Sequence, residues 1–266
     1  VTAAIATDEL TRTFGELTAV DHLGLTVAEG SIFGLLGANG AGKTTTIRML
    51  TTLLAPTSGT ATVAGCDIVR EPREVRREIG YVPQMLSTDG TLTGYENLLI
   101  SARLYHLPRG ERRPRIENAL RTVGLEGVQD RLVRTYSGGM IRRLEVAAAM
   151  LHEPRVLFLD EPTVGLDPVA REQVWDHIRQ LPRNFGTTVL LTTHYMQEAD
   201  ELCDTIAVMH HGRIADIGTP AQLKQKVGPG ASLDDVFVAL AGGPLEEEGG
   251  GYREAARTRR TARRVG

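Results

Sequence analysis

Cysteine is scarce in this chain: Cys66 and Cys203 stand far apart, without the paired spacing of a zinc site. A disulfide framework is not expected, a reducing cytoplasm fits, and both thiols read as small core residues. No stretch approaches the roughly 18 apolar residues of a membrane span. The opening VTAAIATDEL has neither the basic start nor the apolar run of a secretory signal, so the chain is expected neither to be secreted nor to span a membrane by itself. Neither sign of charge is in excess: 30 Lys and Arg against 33 Asp and Glu give a formal net charge of -3. That balance implies no global attraction to nucleic acid or an anionic bilayer. No internal repeat of solenoid period is present.

What is present reads as alternating strands and helices. Leu23 to Val27 alternates like a half-buried strand, and SIFGLL, Ser31 to Leu36, is a short buried strand that ends at a glycine loop. Thr60 to Val63 and Ile79 to Val82 predict further strands, whereas about Thr93 to Met150 carries helical spacing and almost no strand signal. Strands return at Val156 to Leu159, Thr188 to Leu191 and Ile206 to Met209, separated by helical stretches such as Pro168 to Leu181, the order that a parallel sheet requires. His211-Gly212 predicts a hairpin turn into Arg213 to Ile217, and Thr219-Pro220 an N-cap and first-turn proline. From Gly242 the chain passes from Glu246–Glu248 to a run containing Arg253, Arg257, Arg259, Arg260, Arg263 and Arg264. This segment is expected to be a disordered, solvated tail, with weak contact to phospholipid or RNA as the alternative.

The residues Gly37-Ala38-Asn39-Gly40-Ala41-Gly42-Lys43-Thr44 fit G-x-x-x-x-G-K-[ST] in full, between a strand and a helix. Glycines let backbone N–H groups turn inward around an anionic phosphate, and the helix N-terminus adds the positive end of its dipole. Lys43 supplies a cation to the β- and γ-phosphates, the Thr44 hydroxyl is a hard-oxygen ligand for Mg²⁺, and Thr45 completes the nucleotide-binding set. ATP and Mg²⁺ are the expected substrate and ion.

Val156 to Glu161, VLFLDE, is a buried strand delivering two carboxylates at its C-terminal end, where open α/β sheets place their ligands. Asp160 can hold Mg²⁺ directly or through water. Adjacent strand residues point to opposite sides, so Glu161 is free to orient and deprotonate the attacking water. An acidic pair here can alternatively cap the next helix. Gln84, after the strand Ile79 to Val82, can reach Mg²⁺ or the water through its amide oxygen, although such a residue alone is most often an exposed loop side chain. His194 can hydrogen-bond the γ-phosphate or position Glu161. The expected catalytic set is Glu161, His194 and Lys43.

Tyr136-Ser137-Gly138-Gly139-Met140 opens a helical stretch just before the carboxylate strand, and Gly165-Leu166-Asp167-Pro168 follows it. With the phosphate loop, Gln84, Asp160-Glu161 and His194, these motifs stand in an order that resembles the nucleotide-binding subunit of an ABC transporter from about Ala4 to Leu240. The resemblance implies an α/β fold: a P-loop NTPase core with mixed sheet, an N-terminal antiparallel β subdomain and a helical insert. The implied division is a core at about 1–92 and 151–218, the insert at 93–150, an extension at 219–241 and the tail at 242–266. It also implies a head-to-tail dimer, a homodimer being permitted by the complete motif set. In that dimer Ser137, Gly138, Gly139 and Asp167 meet the ATP of the other subunit, and the aromatic Phe14 stacks on adenine. A separate integral-membrane permease follows, docked largely on Thr93 to Leu107, which places the chain at the inner face of the cell membrane.

Tyr136 and Met140 depart from the Leu and Gln of the general pattern, and Phe14 from its more usual Tyr. The form SGGM-x-RRLE, with Leu92-Thr93-Gly94-x-Glu96-Asn97 and Ser232 to Phe237, is similar to the daunorubicin-resistance type of drug-export ATPase; lipid and polysaccharide exporters share much of it. A ribosome-associated ATPase of this family is the alternative, but such proteins usually carry two tandem domains where this chain has one phosphate loop. Chromosome or DNA-repair ATPases separate their halves by coiled coil, and no sustained heptads occur here.

Overall fold

A computed structural model describes residues 2–241; the acidic-to-basic tail, with its expected disorder, lies outside the described residues. Strands β1 (Ala3–Phe14) and β2 (Leu17–Ala28) pair antiparallel, followed by β3 (Ile32–Leu36) and helix α1 (Lys43–Leu50). Next come β4 (Ser58–Val63), β5 (Cys66–Asp67), α2 (Pro72–Glu78) and β6 (Ile79–Val82). Three helices interrupt the sheet: α3 (Gly94–Leu104), α4 (Arg109–Thr122) and α5 (Gly138–Met150). The chain then alternates through β7 (Val156–Asp160), α6 (Pro168–Phe185), β8 (Thr188–Thr193), α7 (Met196–Leu202) and β9 (Thr205–His210). It closes with β10 (Arg213–Gly218), α8 (Pro220–Val227) and α9 (Leu233–Ala241).

Two sheets result: an antiparallel one in the order β2-β1-β4-β5, and a six-stranded one in the order β10-β9-β3-β8-β7-β6. The second is parallel from β9 to β6, with β10 turned back along its edge. Its inner strands are covered on both faces, which is why β3 and β7 read as uninterrupted apolar runs. Alternate side chains divide between two cores. Phe33, Leu35, Phe158 and Leu190 face the antiparallel sheet and α1, while Leu36, Leu157, Leu159 and Leu191 face Val174, Trp175 and Ile178 of α6. Each such fully buried side chain contributes about 1.5–3 kcal/mol of transfer free energy. The three-helix segment has its own core around Leu98, Ile116, Leu120 and Leu144. Among the described residues no helix is long and apolar enough to cross a membrane.

Most expected elements appear where the sequence places them, including the His211-Gly212 turn and the Thr219 N-cap, whose hydroxyl accepts from the Gln222 amide. Strand β1 is an exception, since nothing in its sequence pattern announces it. Its register shifts between Thr7 and Leu10 and again before Thr13, with Glu9 at φ 51°, so bulges break the period-2 alternation. The two cysteines also differ: Cys203 is buried, but Cys66 is only half-buried on the short edge strand β5.

The turn between β9 and β10 does more than reverse the chain. The Gly212 amide donates to Ala41 O at 3.0 Å, and the Asp21 amide donates to Gly212 O at 2.9 Å. The phosphate loop is thereby wedged between β2 and this hairpin. A Cβ on Gly42, whose φ is 106°, would stand 2.4 Å from Ala19 O, so only glycine fits there.

Candidate functional site

The loop from Gly37 to Gly42 joins the end of β3 to the first turn of α1, as the spacing predicts. The first backbone bond of helical type runs from the Thr46 amide to Gly42 O at 2.9 Å. The amides of Lys43, Thr44 and Thr45 therefore stand in the turn that has no intrahelical acceptor, the geometry that holds an anionic oxygen. Asn39 and Gly40 are exposed, and Gly40 adopts φ 79° with open space where a Cβ would be. Lys43 is 4% exposed; its Nζ donates to Gly37 O at 2.8 Å and Ala38 O at 3.1 Å and lies 3.3 Å from Glu161 Oε1. Burial pulls the Lys43 pKa below the ordinary lysine value, opposed by the Glu161 carboxylate. Glycine amides, a helix N-terminus and a buried ammonium together fit a polyphosphate.

Asp160 and Glu161 divide as expected but for a different reason. Asp160 is the last residue of β7, whereas Glu161 has left the strand and sits at φ 49°; a left-handed turn, not strand alternation, sends its side chain elsewhere. Asp160 Oδ1 accepts the Thr44 hydroxyl at 3.2 Å and the Thr192 hydroxyl at 2.6 Å. This pairing of a carboxylate with a hydroxyl supplies the hard oxygens that Mg²⁺ prefers, so the residues fit the ion. The acidic pair does not cap the next helix, because that place is taken by Asp167, whose Oδ1 accepts from the Ala170 amide at 2.9 Å.

Glu161 gathers the remaining predicted residues. His194 Nδ1 lies 3.2 Å from its Oε1, and Gln84 Nε2 donates to its Oε2 at 3.0 Å. Gln84 thus meets Glu161 through its nitrogen rather than presenting its oxygen. Burial alone would raise the Glu161 pKa; the His194 hydrogen bond and the Lys43 charge outweigh it, so the carboxyl lies below the usual glutamate value. The arrangement is a largely buried carboxylate held ionised beside a phosphate-shaped cradle, which suits proton abstraction from a water.

Of the other predicted residues, Phe14, Ser137, Gly138 and Asp167 are exposed and Gly139 is buried. Ser137 caps α5, its Oγ accepting from the Met140 amide at 3.3 Å, and Ser137 and Gly138 are exposed. Gly139 packs against the first turn of α6, where an added Cβ would stand 2.9 Å from that of Ala170. The starts of α5 and α6, with Ser137 and Asp167 as their caps, are therefore locked together. Met140 joins the apolar cluster of the three-helix segment, and Tyr136 is buried with its hydroxyl donating to Val128 O at 2.7 Å. Phe14 is 45% exposed, with the Arg12 guanidinium 4.5 Å from its ring centroid, so it is a surface aromatic rather than a core residue.

Three contributors escape a reading of the sequence. Thr192 lies one residue past the expected strand Thr188 to Leu191, and its role depends on β8 lying beside β7. Arg142 and Glu145 sit within the quoted SGGM-x-RRLE stretch. They are 3% exposed each and reach the Gln84 loop from 58 positions away. The one local signal was an opposite-charge pair at i, i+3 on an otherwise apolar helix face.

Comparison with known proteins gives a consistent result. The family model described as ABC transporter matches residues 20–164. The daunorubicin/doxorubicin resistance ATP-binding protein DrrA of Streptomyces peucetius is 51% identical over 227 residues, covering 85% of this chain and 68% of that protein. The Nod factor export ATP-binding protein I of Paraburkholderia xenovorans (strain LB400) is 44% identical, covering 83% of this chain and 72% of that one. Among solved structures, an ATP-binding subunit of an ABC transporter superposes with a TM-score of 0.78 at 30% identity, covering 90% of this chain and 99% of that chain.

Proposed function

This chain belongs to the ABC transporter family, and from that premise we propose that it binds and hydrolyses ATP to drive export through a separate membrane permease. The observation that carries the reading is the convergence of Lys43, Gln84 and His194 on the Glu161 carboxylate, beside a complete phosphate loop. The amides from Gly37 to Thr45 and the Lys43 ammonium bind the phosphates, and Phe14 stacks on the base. Thr44 and Asp160 would hold Mg²⁺, within reach of the Gln84 amide oxygen that the bond to Glu161 leaves free, and the ion would neutralise charge on the phosphate oxygens.

Glu161 takes a proton from a water as that water's oxygen bonds to the γ-phosphorus; the bond from phosphorus to the bridging oxygen breaks, and ADP leaves with that electron pair. His194 keeps Glu161 oriented and ionised. A second copy of the chain completes each site, with Ser137, Gly138, Gly139 and Asp167 meeting the ATP held by the partner. Two helix N-termini locked side by side suit that task, since a bound phosphate stabilises the closed pair until hydrolysis removes it. The surface of the three-helix segment near Thr93 to Leu107 receives the permease, which brings the chain to the inner face of the membrane.

The resistance protein at 51% identity favours a drug or other hydrophobic compound as cargo; export of a lipid or polysaccharide, which the motif resemblance allows, is the second reading. The test is co-purification of the tagged Glu161→Gln chain with ATP from detergent-extracted membranes. A multi-span protein that stays bound is the expected result. Recovery of ribosomes or DNA-bound proteins alone overturns the transport reading and leaves the ATPase one standing.

A further inference from the structure

Residues 83–88, between the end of β6 and the approach to α3, form neither helix nor strand. Among the described residues no backbone-to-backbone hydrogen bond joins them to another segment. Met85 and Leu86 are 82% and 54% exposed. A stretch so poorly tied should wander, yet it presents Gln84 to Glu161 at 3.0 Å.

Its anchors are two charged side chains from one turn of α5. Arg142 Nη1 donates to Pro83 O at 2.7 Å and Nη2 to Gln84 O at 2.8 Å, while Nη1 also meets Glu145 Oε2 at 3.0 Å. Glu145 Oε1 accepts the Ser87 amide at 2.5 Å and the Ser87 hydroxyl at 3.1 Å. The planar guanidinium fork spans two successive carbonyls and a carboxylate, which a lysine cannot do. Both charges are almost wholly buried, so each depends on the other and on the loop for its partners. Ser87 and Glu145 also line a cleft of about 340 Å³ that extends to Asn97, Leu104 and Tyr105.

We propose that Arg142 and Glu145 are a positioning pair for ATP hydrolysis. They clamp residues 83–87 at both ends, so that Gln84 is held on Glu161, and they make the loop follow the helix whose N-terminus is Ser137–Gly139. The proposal rests on the ATPase reading above and adds to it the two side chains that hold Gln84 in place. Because the hold runs through named hydrogen bonds rather than through proximity, substitution of either side chain should weaken it.

The experiment is a double-mutant cycle on the full chain. Glu145→Gln keeps the shape but weakens the hold on Arg142 and Ser87. It is expected to lower kcat for ATP about tenfold with KM changed less than twofold, and to add nothing in a Gln84→Ala background. Arg142→Lys, which keeps the charge without the fork, should give the same pattern. Amide exchange over 83–88, measured without nucleotide, should quicken at least tenfold in Glu145→Gln. Equal losses of kcat in both backgrounds, or unchanged exchange at Ser87, overturn the proposal. Absence of hydrolysis by the unmodified chain defeats the ATPase reading instead, while the exchange measurement still judges the clamp.

Discussion

Thr192 donates its hydroxyl to Asp160 Oδ1 at 2.6 Å from the neighbouring strand, and the same hydroxyl oxygen accepts the Glu161 amide at 3.0 Å. One side chain thus orients both members of the acidic pair. Thr192→Val keeps the volume and removes the hydroxyl, leaving a buried carboxylate oxygen and an amide short of one partner. The expected outcome is a Mg²⁺ requirement for ATP hydrolysis raised by about 10- to 100-fold, with Thr192→Ser restoring it. A metal titration of ATPase rate checks this.

Glu161→Gln should lower kcat by about 10²- to 10⁴-fold, the usual contribution of a general base, while ATP affinity is retained. His194→Ala should cost less, because Lys43 and Gln84 still hold the carboxylate. Steady-state kinetics beside equilibrium binding of ATP separates the two effects. A Glu161→Gln chain that turns over normally would remove this residue from the chemistry.

Gly139→Ala inserts a Cβ 2.9 Å from that of Ala170, between the starts of α5 and α6. Overpacking of this kind costs about 1–3 kcal/mol, and a lowered Tm with loss of ATP-dependent dimerisation is expected. Gly138→Ala meets only Leu166 Cδ2 at 3.1 Å, the end of a flexible side chain, and should change Tm less.

Glu198 on α7 is buried, accepting the Thr163 hydroxyl at 2.6 Å and the Trp175 indole N–H at 2.9 Å on the same oxygen. Burial pushes its pKa above the ordinary 4.5, and the bonds from Thr163, Thr193 and Trp175 only partly oppose this. A carboxyl that holds its proton more tightly when folded stabilises the fold fully below the unfolded value and loses that contribution as pH rises through the folded one. Glu198→Gln keeps the acceptor and removes the titration. Its Tm should approach that of the parent near pH 4 and gain on it toward neutral pH; a gap that stays constant with pH would contradict this.

The phosphate loop and the VLFLDE strand were legible because their chemistry demands particular residue types at fixed local spacing. The same is true of the His211-Gly212 turn, where φ is 45° and 79°. Strand β1 was hidden by bulges that scramble its alternation, and Thr192, Arg142 and Glu145 by distance along the chain. Their partners lie 32, 58 and 58 positions away, a separation that only the packed sheet and helices convert into contact. Glu161 shows a third kind of gap: its identity was plain, but the left-handed backbone that aims it was not.

The wedging of the phosphate loop between β2 and the β9–β10 hairpin bears on the order of assembly. Its P-loop sequence is complete by Thr44, yet the Gly212 bond to Ala41 cannot form until some 170 more residues have left the ribosome. During vectorial synthesis the loop lacks its backstop, and contacts so distant in sequence close late. Nucleotide capture is therefore a property acquired only once β9 and β10 have been made, and a nascent chain halted before β9 should carry the motif without the affinity.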